Sequence, residues 1–177
     1  MKHNIVRINK IVLSNFKNVK KGIVEMPAYS GKELFSEKAD VLGLYGQNGS
    51  GKTSVVEALR FVKMLLSGEE LPADTKEYIA QGEEECEIDV SFSVAEEVQK
   101  ETVNYSVALK KDADGFVISH ERMTVVPRKE NIRAVESTLI DYQYDNEDVT
   151  FAPEYRYKKL VANDKKVRVA LNVAQAI

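Results

Sequence analysis

The chain has 177 residues, 44% hydrophobic and 30% charged, with 25 Lys and Arg against 28 Asp and Glu for a net charge of −3. That length builds one substantial core and hardly two independent domains, and the composition excludes a fibre, a disordered chain and a surface that is basic throughout. No run approaches the roughly 20 consecutive apolar residues that span a bilayer, and one cysteine with two histidines excludes an internal disulfide and a His/Cys metal cluster.

With no apolar signal-peptide core at the N-terminus, a cytoplasmic domain without membrane contact is expected. Along the chain, Ile5-Val6-Arg7-Ile8 and Ile11-Val12-Leu13 read as strand, with a polar break at Ser14-Asn15, and Ile23-Val24-Glu25-Met26 as a second strand, an opening β-ribbon. Residues 27–38, rich in Gly, Ser, Pro and charge, read as a connection, and the apolar run Val41-Leu42-Gly43-Leu44-Tyr45 as a buried strand. Val55, Val56, Leu59, Val62 and Leu66 then form one helical apolar face, closed by Ser67-Gly68, where glycine accepts a left-handed backbone. Pro72 opens a second short helix to about Ala80, ended by Gln81-Gly82.

Cys86, Ile88, Val90, Phe92 and Val94 alternate with polar residues, as do Val103, Tyr105, Val107 and Leu109, and Asp112 to Gly115 supplies turn chemistry before residues 116–126. These form an antiparallel β-meander. Residues 131–144 fit two patterns: the spacing of Val135, Leu139 and Tyr142 suits a helix and the β-branched residues suit a strand, with helix as the reading taken. Residues 155–161 and 166–173 flank Asn163-Asp164 as a final hairpin. Its basic residues, Arg156, Lys158, Lys159, Lys165, Lys166 and Arg168, are either a solvated edge or a grip on nucleic acid. The whole is an α/β mixture: a single lobe over 1–177, with a P-loop core at 1–70, the meander at 83–126 and a helix plus hairpin at 127–177.

The strongest signal is Gly46-Gln47-Asn48-Gly49-Ser50-Gly51-Lys52-Thr53, which satisfies G-x-x-x-x-G-K-[ST] at each constrained position and stands between an apolar run and an amphipathic helix. Small residues let backbone N–H groups close on phosphate oxygens, and the helix that follows aims its unpaired amides and positive dipole end at the same place. Lys52 is expected between the β and γ phosphates, the Thr53 hydroxyl on Mg²⁺, and Ser54 near the α phosphate. The nucleotide with Mg²⁺ is thus the expected ligand.

Residues 42–59, with Asn48-Gly49-Ser50-Gly51-Lys52-Thr53 followed by an apolar pair and Glu57-Ala58-Leu59, resemble ABC-type ATPases of the RecF/SMC-like (AAA-15/OLD-like) branch. Upstream, Ile11-Val12-Leu13-Ser14-Asn15-Phe16-Lys17 resembles that family's first strand. The resemblance covers about the first 130 residues. It implies ATP as the nucleotide, a P-loop NTPase N-terminal lobe with a mixed core sheet and an antiparallel subdomain, and a DNA-repair, defence or chromosome-associated role. It also implies Lys17 near the nucleotide and Gln143 at a spacing that suits a magnesium contact, each weighed against a plain surface residue.

The family's apolar strand ending in Asp-Glu has no counterpart here, and Asp141 reads as surface. Leu66-Ser67-Gly68-Glu69-Glu70 imitates the start of the signature loop but reads as a helix C-cap. Hydrolysis by this chain alone is therefore not expected. A homodimer or a partner lobe would supply the missing Walker B and signature motifs. The alternative is a nucleotide-dependent module that engages nucleic acid or protein without catalysis.

Overall fold

The computed structural model describes residues 5–30, 35, 40–96, 99–113, 115–128, 135–144 and 149–151. Seven strands form one sheet in the order β2-β1-β3-β4-β5-β6-β7: β1 (Ile5–Phe16), β2 (Val19–Glu25), β3 (Glu85–Glu96), β4 (Gln99–Asp112), β5 (Gly115–Pro127), β6 (Ser137–Gln143) and β7 (Val149–Phe151). Each neighbouring pair is antiparallel. With the helix α2 (Lys52–Ser67) laid on one face, the architecture is a mixed α/β lobe.

The period-two pattern explains the core. Ile11 stands opposite Val90, and Val90 opposite Tyr105. Leu13 stands opposite Ile88, and Ile88 opposite Val107. All six are buried. Such cross-strand rows put alternate, apolar side chains of three strands on one face. Against that face α2 packs Ala58, Phe61, Val62 and Leu65, an i, i+3, i+4, i+7 stripe that burial stabilises by about 1.5–3 kcal/mol per large side chain. Of the face expected from spacing only Val62 is fully buried: Val55 and Leu59 are half-buried, and Val56 and Leu66 are exposed, because the sheet meets the helix on the side that carries Ala58, Phe61 and Leu65. The helix ends as its sequence expects: Gly68 adopts φ 67°, its N–H donates to Leu65 O (3.1 Å), and the Glu69 N–H donates to Met64 O (2.9 Å). These two bonds make a Schellman cap. Residues 66–70 are thus a helix terminus and no signature loop.

A β-bulge sets the chemistry of the far end. Ala108 faces His120 while Leu109 faces Ile118, so Ser119 is the extra residue. An extra residue reverses the alternation beyond it. Ile118 and Glu121 consequently both face the core, and Glu121 is buried opposite Val107. Its Oε1 accepts a 2.7 Å bond from the Tyr105 hydroxyl, whereas Oε2 has no partner among the described residues. Burial pushes the Glu121 carboxyl above the ordinary range, against the opposing pull of the Tyr105 bond and the His120 charge. Burial likewise raises the Tyr105 hydroxyl well above its ordinary value and the Cys86 thiol to about 12.

Several expectations change. The polar break at Ser14-Asn15 does not end β1; Asn15 instead takes a φ of 51°, which asparagine tolerates, and the strand runs on to Phe16. The helix expected over 131–144 gives way to β6 at 137–143, where Ile140 pairs with Met123 and Thr138 with Thr124. The open edge of β5 offers a full ladder of backbone bonds, which outweighs three residues at helical spacing. The apolar run 41–45 forms no strand: Val41 is 83% and Tyr45 95% exposed, and it pairs with no strand of the described sheet. A run that reads as buried needs neighbours on both sides, and none of the described strands adjoins it. The segment at 73–78 is a 3-10 helix where a short helix was expected after Pro72. The connection after β2 begins with a short helix, α1 (Pro27–Ser30). The hairpin expected at 155–173, with its basic residues, lies outside the described residues.

Candidate functional site

The glycine-rich segment leads directly into α2. Gly51 caps that helix with φ 87°, offers no side chain to the first-turn amides, and no acidic residue occupies the first turn. The unpaired N–H groups and the positive dipole end therefore face the loop uncompensated. Gly49 has φ 83°, a left-handed conformation costly for any residue with a Cβ. At Gly51 the requirement is doubled, because a Cβ there would stand 2.5 Å from Val19 Cγ2.

Lys52 turns back over its own loop. Its ammonium donates to Gly46 O (2.8 Å), Gln47 O (2.6 Å) and Ser50 Oγ (3.2 Å). The Ser50 N–H donates to the same Gln47 O, at 3.3 Å. These acceptors are neutral oxygens, which hold the ammonium in place without cancelling its charge. A lysine, two left-handed glycines and an uncapped helix start thus form a cationic, donor-rich concavity. Thr53 lies exposed on the first turn beside it. The fit to a polyphosphate rests on these donors; a bound divalent cation would neutralise phosphate charge, with the Thr53 hydroxyl as the oxygen ligand this chain offers. Among the described residues no group of three or more His, Cys, Asp or Glu is placed to hold a metal by itself.

The tip of the β1–β2 hairpin clamps onto this loop. Phe16 pairs with Val19, leaving Lys17-Asn18 as a two-residue turn with Lys17 at φ 52°. The Lys17 N–H donates to Tyr78 O (2.7 Å), its ammonium pairs with Glu57 Oε1 of α2 at 2.6 Å, and it lies 5.5 Å from the Tyr78 ring centre. Lys17 is therefore held against an α2 carboxylate. The Asn18 Nδ2 donates to Gly49 O, and the Asn18 Oδ1 accepts from the Ser54 hydroxyl at 2.7 Å. Ser54 is buried, with its hydroxyl directed to the hairpin.

The structure thus brings together Gly46, Gln47, Ser50 and Lys52 through direct bonds, and Gly49 and Ser54 through Asn18. Asn48 is exposed in the same loop. Gln143 does not join them: it ends β6, four strand spacings or roughly 19 Å from β1 across the sheet. Asp141 stands with it, 3.6 Å from His120 and 3.9 Å from Arg122. Sequence reasoning missed Asn18 and Val19 as partners of the loop, and Glu57, which stands within the matched stretch 42–59, as the partner of Lys17. The signal for Asn18 and Val19 is that they follow the first matched motif directly.

Two of the hollows among the described residues lie against the sheet. One of about 290 Å³ adjoins the loop, with Val19, Ile23, Leu44, Tyr45 and Val55 as apolar walls and Gly46 and Lys52 among its lining. The other, about 510 Å³, lies on the polar face and mixes Lys10 and Arg122 with Glu87 and Asp89. Of these two, the first couples an apolar wall to the cationic loop. No described helix is long and apolar enough to cross a membrane.

Comparison with known proteins gives a family and a solved structure. The family model described as AAA domain, putative AbiEii toxin, Type IV TA system, matches residues 41–171. A structure of the recombination mediator protein RecF with ATP in the RecFOR pathway is similar at 21% identity and a TM-score of 0.37. The match covers 77% of this chain and spans 28% of that one. No curated protein matches the chain.

Proposed function

We propose a function that starts from the family: this chain belongs to the AAA domains described as putative AbiEii toxin, Type IV TA system. It is a nucleotide-binding P-loop ATPase domain, and its ligand is ATP with Mg²⁺. Gly46, Gln47, Asn48, Gly49, Ser50, Gly51, Lys52, Thr53 and Ser54 form the site, with Thr53 as the metal ligand and backbone amides as the main phosphate donors. The observation that carries this reading is the Lys52 ammonium, held by neutral loop oxygens over an uncapped helix start. On binding, phosphate oxygens replace Gly46 O and Gln47 O as its acceptors. The apolar hollow beside the loop offers room for the base or sugar.

The finer assignment is to the RecF/SMC-like branch, with the chain as a lobe that dimerises on binding ATP. Its support is the motif at 42–59 and the exposed apolar run 41–45, which a strand from a partner lobe or second copy would cover. That partner also supplies the acidic strand and the signature loop. The family description, a toxin of a TA system, favours defence over repair or chromosome maintenance as the setting.

The test is calorimetric titration of Mg-ATP into the 177-residue chain and into Lys52→Ala, with a parallel assay of phosphate release. Binding by the wild type, lost in Lys52→Ala, with no turnover, is the expected result. Equal binding by both proteins would remove the loop from the function, and turnover by the chain alone would show that a catalytic acid is present after all.

A further inference from the structure

We propose that Asn18 is the positioning residue of the nucleotide loop, tying Gly49 and Ser54 to the β1–β2 hairpin so that the hairpin tip sets the shape of the phosphate cradle. The proposal rests on the loop being a phosphate site. One carboxamide makes both bonds: Nδ2 donates to Gly49 O while Oδ1 accepts from Ser54 Oγ at 2.7 Å. Only an amide supplies a donor and an acceptor at opposite corners of one short planar group. The two bonds bridge 31 and 36 residues of sequence, so they join separate elements and are no product of local turn geometry.

The consequence for phosphate binding follows from peptide planarity. In a trans peptide the carbonyl and the following N–H point in opposite directions. Holding Gly49 O toward the hairpin turns the Ser50 N–H away from it. That N–H and the Lys52 ammonium converge on Gln47 O, so two strong donors share one acceptor position. Released from Asn18, the 49–50 peptide is free to rotate, since Gly49 has no Cβ and open space around it.

Ser54 fixes the second point. It lies in the first turn of α2, and its bond to Asn18 sets the helix start relative to the hairpin. The neighbouring tip residues hold the same docking: Val19 packs on Gly51, and Lys17 pairs with Glu57. The turn itself carries a lysine at φ 52°, a conformation that survives where the surroundings over-determine it. The Lys17 N–H bond to Tyr78 O and its ion pair are those surroundings.

The experiment compares the 177-residue chain with Asn18→Ala, Ser54→Ala and the double variant, measuring Mg-ATP affinity, melting temperature and the ¹⁵N order parameters of Gly49 and Ser50 without nucleotide. Asn18→Ala is expected to weaken Mg-ATP about tenfold while the melting temperature stays within about 3 °C, since Asn18 is exposed and only its two bonds are lost. The order parameters should fall from about 0.85 toward 0.6. Because the two residues act through one bond, the double variant should bind no more weakly than Asn18→Ala alone. An affinity within twofold of wild type, or fully additive losses, would overturn the proposal. If the wild type bound no Mg-ATP, the phosphate-site reading would fail by itself. The order parameters would then decide the clamp: a fall supports it, and unchanged values overturn it.

Discussion

Replacing Phe61 by alanine measures how firmly α2, and with it the nucleotide loop, is mounted on the sheet. The ring is wholly buried, meets Tyr78 edge-on at 5.6 Å and 77°, and Tyr78 in turn packs on Phe16 at 5.1 Å. Truncating such a side chain removes its transfer energy and leaves a cavity, together about 3–5 kcal/mol. For a chain of this size each kcal/mol moves the melting temperature by about 2–4 °C, so a fall of roughly 6–20 °C is expected. Phe61→Leu, which keeps much of the volume, should cost less than about 1.5 kcal/mol. Urea titration followed by circular dichroism reads both, and an unchanged m-value would show that only the stability moved. Phe61 lies roughly two and a half turns, about 13 Å, along α2 from Lys52. Below the melting range the affinity for Mg-ATP should therefore stay within about threefold of wild type. A loss under about 1 kcal/mol would refute the packing described. A tenfold loss of affinity in the folded variant would show that the loop and the helix core are not separable.

Glu121 holds its proton more tightly in the folded protein than in the unfolded chain, so its contribution favours folding at low pH and declines as pH rises above the ordinary carboxyl value of about 4.3. Glu121→Gln should match wild type in stability near pH 4 and exceed it at pH 8; a variant less stable at pH 8 would contradict the buried, destabilised carboxylate. Cys86, with its thiol raised to about 12 by burial, should resist a thiol reagent in the native protein and react only as fast as the chain unfolds, and immediate stoichiometric labelling would contradict its burial. Tyr45→Ser should change the stability of the isolated chain by less than about 0.5 kcal/mol, because the side chain is 95% exposed, and a loss of several kcal/mol would place it in a core.

Much of the lobe is legible in residue order alone, and for one reason: the relevant signals are local. The loop at 46–53 advertises itself through glycines at fixed offsets from a lysine, and α2 through apolar residues at helical spacing and a C-terminal glycine, although the face the helix buries, Ala58, Phe61, Val62 and Leu65, is turned from the one that spacing suggested and is chosen by the sheet. The meander declares its buried face by strict alternation in β3 and β4. What residue order left open depends on partners distant in sequence. Residues 131–144 carry both periods, and only the vacant edge of β5 selected a strand. The apolar run 41–45 reads as buried, yet burial belongs to the neighbours and not to the run. The bulge at Ser119 cannot be read from alternation, because inserting one residue exchanges the two faces and carried Glu121 into the core. The clamp of Asn18 on the loop arises only when a hairpin turn and a helix start are folded together. Local spacing thus determined the loop, the helix and the faces of the strands, whereas pairing, register and the contact between hairpin and loop were decided by tertiary structure, since each requires chain segments that no local pattern can see.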